Sequence, residues 1–105
     1  MKDYLQIDVS STLGEDEIFK AATQHLPAFS WRRGESDTQG PYASGTTADS
    51  VHLKMWFEEK SCLMSVSFRR AWPNDPDREE KKQEIMTTIT KGFIPTIGYV
   101  SKIDS

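Results

Sequence analysis

A nucleophile–base pair needs a thiol or hydroxyl within hydrogen-bond reach of an imidazole. This sequence offers one cysteine, Cys62, and two histidines, His25 and His52. Two strand-like runs decide whether Cys62 and His52 can meet. Val51–Phe57 and Cys62–Phe68 alternate apolar and polar residues and are joined by Glu58-Glu59-Lys60-Ser61. Closing them as a hairpin with a four-residue loop sets Phe57 opposite Cys62 and Met55 opposite Met64. It also sets Leu53 opposite Val66 and Val51 opposite Phe68. Every residue on that face is apolar, and a slip of one residue would spoil all four pairs. Cys62 then points to the core as a small buried hydrophobe, and His52 points to the other face. The pair is excluded.

Other chemistries fail on spacing. A zinc site needs three or four Cys, His or acidic ligands at set intervals, and Cys62, His25, His52 and the scattered acids do not provide them. His25 suits the C-terminal end of a helix, where a partly charged ring complements the dipole. Gly34, Gly40 and Gly45 do not form a phosphate-binding G-x-G-x-x-G, and no G-K-[ST] follows. Glu15, Asp16 and Glu17 fall in the first turn of a helix, where the dipole favours negative charge. No cofactor or metal is therefore expected, and the reading leans away from an enzyme.

Two clusters interleave arginine with aromatic residues: Trp31-Arg32-Arg33 and Phe68-Arg69-Arg70-Ala71-Trp72. Single-stranded nucleic acid binders use that combination, with cations for phosphate and rings for stacking. Strand parity argues otherwise. Phe68 and Trp72 continue the core face of their strand, and Trp31 shares the face of Phe29. Only Arg32 and Arg69 fall on the opposite face.

That opposite face carries His52, Lys54 and Trp56 on one strand, facing Ser67, Ser65 and Leu63 on the next. A Trp–Leu pair edged by Lys54, Arg69 and serines has the form of a contact patch, an aromatic anchor with a polar rim. The candidate partner-binding residues are Arg32, Glu35, Asp37, His52, Lys54, Trp56, Leu63 and Arg69. Glu35 and Asp37 enter through the Gly34–Gly45 stretch, which reads as a long hairpin connection bordering the patch. The competing reading covers the patch with a short Tyr42–Thr47 strand or with a second copy of the chain.

The remaining elements must position this face. Leu5, Ile7 and Val9 alternate in an opening strand. Thr12-Leu13-Gly14-Glu15 reads as a capping box, and Ile18, Phe19, Ala22 and Leu26 follow helical spacing to Pro27. A second helix is expected from Asp75-Pro76, with Asp75 as N-cap and Pro76 at the first helical position. Its stripe is Ile85, Met86, Ile89 and Phe93, and Gly92 with Pro95 should end it. Its first half, Asp77 to Glu84, has no apolar residue and should lie along solvent, held by pairs such as Asp77–Lys81. Residues 97–103 suit a last strand. The order β-α-β-β-β-β-α-β makes this an α+β protein, a two-layer sandwich of a mainly antiparallel sheet with two helices on one face. It resembles a ferredoxin-like fold with an added strand, a likeness of architecture that implies no activity.

At 105 residues the chain suits one domain over 1–105. No apolar run exceeds three residues, which leaves neither a membrane span nor a secretory signal. A lone cysteine makes no internal disulfide, and Asn74, followed by Asp75-Pro76, is no glycosylation acceptor. These features suit the cytoplasm. The net charge is −3, and the middle of the chain, residues 28–74, is only weakly positive, with six bases against five acids. An acidic chain is repelled by nucleic acid unless it concentrates positive charge.

The leading expectation is a small non-enzymatic cytoplasmic binding module acting through protein–protein contact. Stoichiometric inhibitors and toxin-neutralising (immunity-type) proteins are of this kind, and Glu35, Asp37, Asp49, Glu58 and Glu59 would meet a basic partner. That partner is another protein, such as a toxin, or a second copy in a homodimer. One alternative is single-stranded nucleic acid binding through Arg32, Arg33, Arg69, Arg70 and Trp56. The other is a small ferredoxin-like enzyme or ligand sensor using His52.

Overall fold

The computed structural model describes residues 1–104, and its elements follow the expected order. They are β1 (Tyr4–Ser10), α1 (Glu15–His25), β2 (Ser30–Ser36), β3 (Gly40–Thr46), β4 (His52–Glu58), β5 (Ser61–Ser67), α2 (Arg78–Thr87), a π-helical turn (Thr88–Phe93), α3 (Ile94–Ile97) and β6 (Tyr99–Asp104). The strands form one sheet in the order β2-β3-β4-β5-β1-β6, and every neighbouring pair is antiparallel. No helix among the described residues is long and apolar enough to cross a membrane.

The β4–β5 register sets Phe57, Met55 and Leu53 against Cys62, Met64 and Val66. The ladder extends one pair further than expected, to Glu58 and Ser61, so only Glu59 and Lys60 make the turn. Alternation places Leu5, Ile7 and Val9 of β1 on the same face, and all nine of these side chains are buried. Both helical segments bury their stripes in this one cluster: Ile18, Ala22 and Leu26 from the first, and Met86, Ile89, Phe93, Ile94 and Ile97 from the second. Burying one such side chain is worth roughly 1.5–3 kcal/mol, so this face holds the fold together.

Residues 34–45 differ from the expected long connection. Gly34 and Gly45 lie inside strands, and the turn is Asp37-Thr38-Gln39 alone. Ser36 Oγ accepts hydrogen bonds from the Thr38 and Gln39 amides, and Gly40 follows at φ +80°. A three-residue hairpin loop closed by a left-handed glycine is a common solution. The interior glycines make room for rings. A Cβ on Gly45 would stand 2.8 Å from the Trp31 ring, and one on Gly34 would stand 2.5 Å from Tyr42 Oη.

The helix ends also differ. Helix α1 starts after Gly14 with no side-chain cap, because the nearby hydroxyl that is used belongs to Ser11. Ser11 Oγ accepts from the Leu13 amide and donates to the Ile97 carbonyl, tying the start of α1 to the end of α3. Asp75 lies ahead of α2 in a turn, where its carboxylate accepts from the Asp77 amide and pairs with Lys81. Asp77, not Asp75, stands at the N-cap position.

Gly92 and Pro95 do not stop the second helix. Pro95 would ordinarily clash in a helix interior. The chain widens ahead of it into a π turn, where the Ile94 amide donates to the Ile89 carbonyl, five residues back. The helix then continues to Ile97 and ends at Gly98, where a Cβ would collide with the Ser10 carbonyl oxygen.

The first half of α2 is not wholly solvated. Lys82 is 1 % exposed and reaches the Asp3 and Glu79 carboxylates and the Met1 carbonyl. Arg78 bonds Asp3 and the carbonyls of Phe68 and Ala71. Removing these cations from water is costly, and complete pairing is what makes it tolerable.

Candidate functional site

The sheet face turned away from the helices holds most of the candidate residues, and strand register sets its rows. Tyr42, Trp56, Leu63 and Asp8 stand side by side across β3, β4, β5 and β1. The next row is Ser44, Lys54, Ser65 and Gln6, with Arg32 of β2 opposite Ser44. The third is Thr46, His52, Ser67 and Tyr4. Trp56 and His52 are four residues apart along β4, about 13 Å at the rise of a strand. The face therefore has two ends.

At the Trp56 end, alternation puts a large aromatic side chain where no helix covers it. Trp56 is half-buried among its neighbours. The Lys54 amine lies 4.8 Å from the Trp56 ring centre and 4.5 Å from that of Tyr42, so one cation bridges two rings. The Trp56 indole N–H is out of solvent without a hydrogen-bond partner. This end carries Asp37 and Glu59 in its turns and Glu58 at the end of β4, all exposed.

At the other end, Ser44 Oγ and His52 Nε2 are 2.6 Å apart. Burial holds the His52 ring below its ordinary pKa, and nearby Lys54 adds to the effect. A cleft of about 470 Å³ opens beside it, lined by Thr46, Ser50, His52, Ser67, Arg69 and Arg70. Arg69 sits with its guanidinium 5.0 Å from the centre of the Tyr4 ring. Hydroxyls, an imidazole and guanidiniums are groups that bind anions.

The structure thus brings Trp56, Leu63 and Lys54 together, and brings His52 and Arg69 together at the opposite end. Arg32 is exposed on the same face, at the β2 edge. Glu35 has the parity of Trp31 and Arg33, so it belongs to the helix side, and Asp37 is at the hairpin tip. Arg33 pairs with Glu15 and Asp16 and lies 5.0 Å over Phe19, so it clamps β2 to α1. Asp49 lies in the β3–β4 turn, at the other end of β4 from Glu58 and Glu59. Its charge is felt at Lys81. Cys62 is fully buried, and desolvation pushes its thiol up to about 12, with Glu58 adding to the rise.

Tyr42, Ser44 and Tyr4 are the residues that strand-pair reasoning missed. Their placement depends on the register of β3 and β1 against the central hairpin. The pairing of Gly34 and Gly45 with opposite aromatic residues was the signal that could have fixed β3. Among the described residues, no three His, Cys, Asp or Glu side chains cluster in a way that could hold a metal ion. No family model matches this chain, and no curated protein matches it.

Proposed function

We propose that this protein is a binding module that engages another protein through the helix-free face of its sheet, with Trp56 as the anchor. One observation carries the reading: Trp56 projects from the middle of the sheet on the side without helices, with Leu63, Tyr42 and Lys54 around it. Interface hot spots are enriched in tryptophan within a ring of weaker contacts.

The acids at the same end select the partner. Asp37, Glu58 and Glu59 would meet a basic surface, as in stoichiometric inhibitors and toxin-neutralising proteins acting in the cytoplasm. In architecture we read the fold as ferredoxin-like, with the strands of the β2–β3 hairpin added at one edge. A second copy of the chain seated on the same face is the competing occupant.

Sedimentation of the purified chain tests the second copy, since a monomer at all concentrations removes it as the occupant. A photocrosslinking residue at position 63, expressed in the source cell, should then give one stoichiometric adduct. Adducts from a helix position such as 24, and none from 63, would contradict the assignment.

A further inference from the structure

We propose that the His52 end of the open face is a separate site that takes a phosphomonoester dianion. Arg33, Arg78, Lys81 and Lys82 each stand against carboxylates. Among the described residues, Arg69 and Arg70 have no ion pair; the Arg69 guanidinium faces only the Tyr4 ring. In a chain of net charge −3, these two adjacent arginines both line one cleft that no carboxylate lines.

The rest of the lining has the same polarity. Thr46, Ser50 and Ser67 contribute hydroxyls and His52 contributes a ring, and no carboxylate lines the cleft. Ser44 engages one ring nitrogen of His52, which leaves the other for a ligand. The β3–β4 turn that carries Ser50 is itself fixed, since the Ser50 amide bonds the Thr47 carbonyl and Thr47 Oγ accepts from the Val51 amide.

The count of donors and charges selects the ligand. A phosphomonoester carries about −1.5 to −2 charges and three acceptor oxygens at neutral pH. Two guanidiniums match that charge, and the planar fork of arginine binds phosphate oxygens in pairs. A carboxylate would leave one guanidinium and several hydroxyls unused. At about 470 Å³ the cleft accommodates the ester's organic group as well as its phosphate.

The test is an NMR titration of the intact chain at low salt with phenyl phosphate, O-phosphoserine, inorganic phosphate and benzoate. The proposal expects saturable one-to-one shifts at the Thr46, Ser50, Ser67, Arg69 and Arg70 amides and at the His52 ring. Phenyl phosphate or O-phosphoserine should bind at least about tenfold more tightly than benzoate, and comparison with inorganic phosphate tells whether the organic group contributes. Arg69→Gln and Arg70→Gln should each weaken binding about tenfold. Lys20→Gln, which removes an exposed positive charge on α1, should leave it unchanged. Shifts that do not saturate, equal weakening by Lys20→Gln, or equal binding of benzoate would overturn the proposal. So would a short oligothymidylate that outcompetes phenyl phosphate with shifts running on to Trp56, because the face would then be a nucleic acid groove.

Discussion

Trp31 lies across Gly45 of the neighbouring strand, with ring carbons 2.8 Å from where a Cβ would stand. Tyr42 does the same across Gly34 on the opposite face. Gly34 and Gly45 are thus each a seat for an aromatic ring, a known means of fixing strand register.

The two seats should respond differently to Gly→Ala. At Gly45 the ring that must move is packed against Phe19, Phe29 and the core, so a loss of about 1–3 kcal/mol is expected. At Gly34 the obstacle is the far end of Tyr42, which can swing outward, and the loss should be smaller. Gly98→Ala meets the Ser10 backbone and should be the most damaging of the three. Urea unfolding orders them, and a Gly34 variant weaker than the Gly45 variant would refute this account of the hairpin.

Acid should loosen the join between the start of the chain and α2. Hydrogen bonds from Arg78 and Lys82 hold the Asp3 carboxyl at about 2, below its ordinary 3.8. A depressed carboxyl favours the folded state fully above its unfolded pKa, and that contribution fades as pH falls from about 4 to 2. Asp3→Asn should lower the melting temperature at pH 6 and flatten its fall between pH 4 and 2. An unchanged acid limb in the variant would show that Asp3 is not the group responsible.

His52 should titrate below its ordinary 6.5, because burial disfavours the imidazolium and Lys54 repels it. The unfolded chain takes up this proton first, so stability should decline as pH falls through about 6.5 and below. Ring-proton NMR reads the pKa directly, and Lys54→Met should raise it. A value at or above 6.5 in the wild type would contradict the placement of the ring.

Cys62 should resist thiol reagents in the native state. Its thiol, raised to about 12 by burial and Glu58, carries almost no thiolate at neutral pH. Labelling should therefore follow the rate of unfolding and accelerate with denaturant. Prompt labelling in native buffer would place Cys62 outside the core.

The central hairpin was legible because its pattern is local: four apolar pairs admit one register. The order of elements followed from the same alternation and from two amphipathic stripes. The helix limits were harder to read, since Ser11 displaced the capping box and a π turn carried the chain past Pro95. Neither is visible in residue spacing, because both depend on contacts with distant parts of the chain. Burial of Lys82 was hidden for the same reason: its partner Asp3 is 79 positions away. Of the candidate site, Trp56, Leu63, Lys54 and His52 were readable from parity alone. The Ser44–His52 bond and the Arg69 cleft needed strands whose register the sequence left open.

The most direct test of the docking face is Trp56→Ala, measured twice on the same preparation. Trp56 is half-buried on a face that adds little to the core, so unfolding should cost no more than about 1 kcal/mol. Affinity for the partner crosslinked through position 63 should fall at least about thirtyfold, the loss of a hot spot worth about 2 kcal/mol. A variant that is folded and binds as tightly as the wild type, or one that no longer folds, would contradict the account.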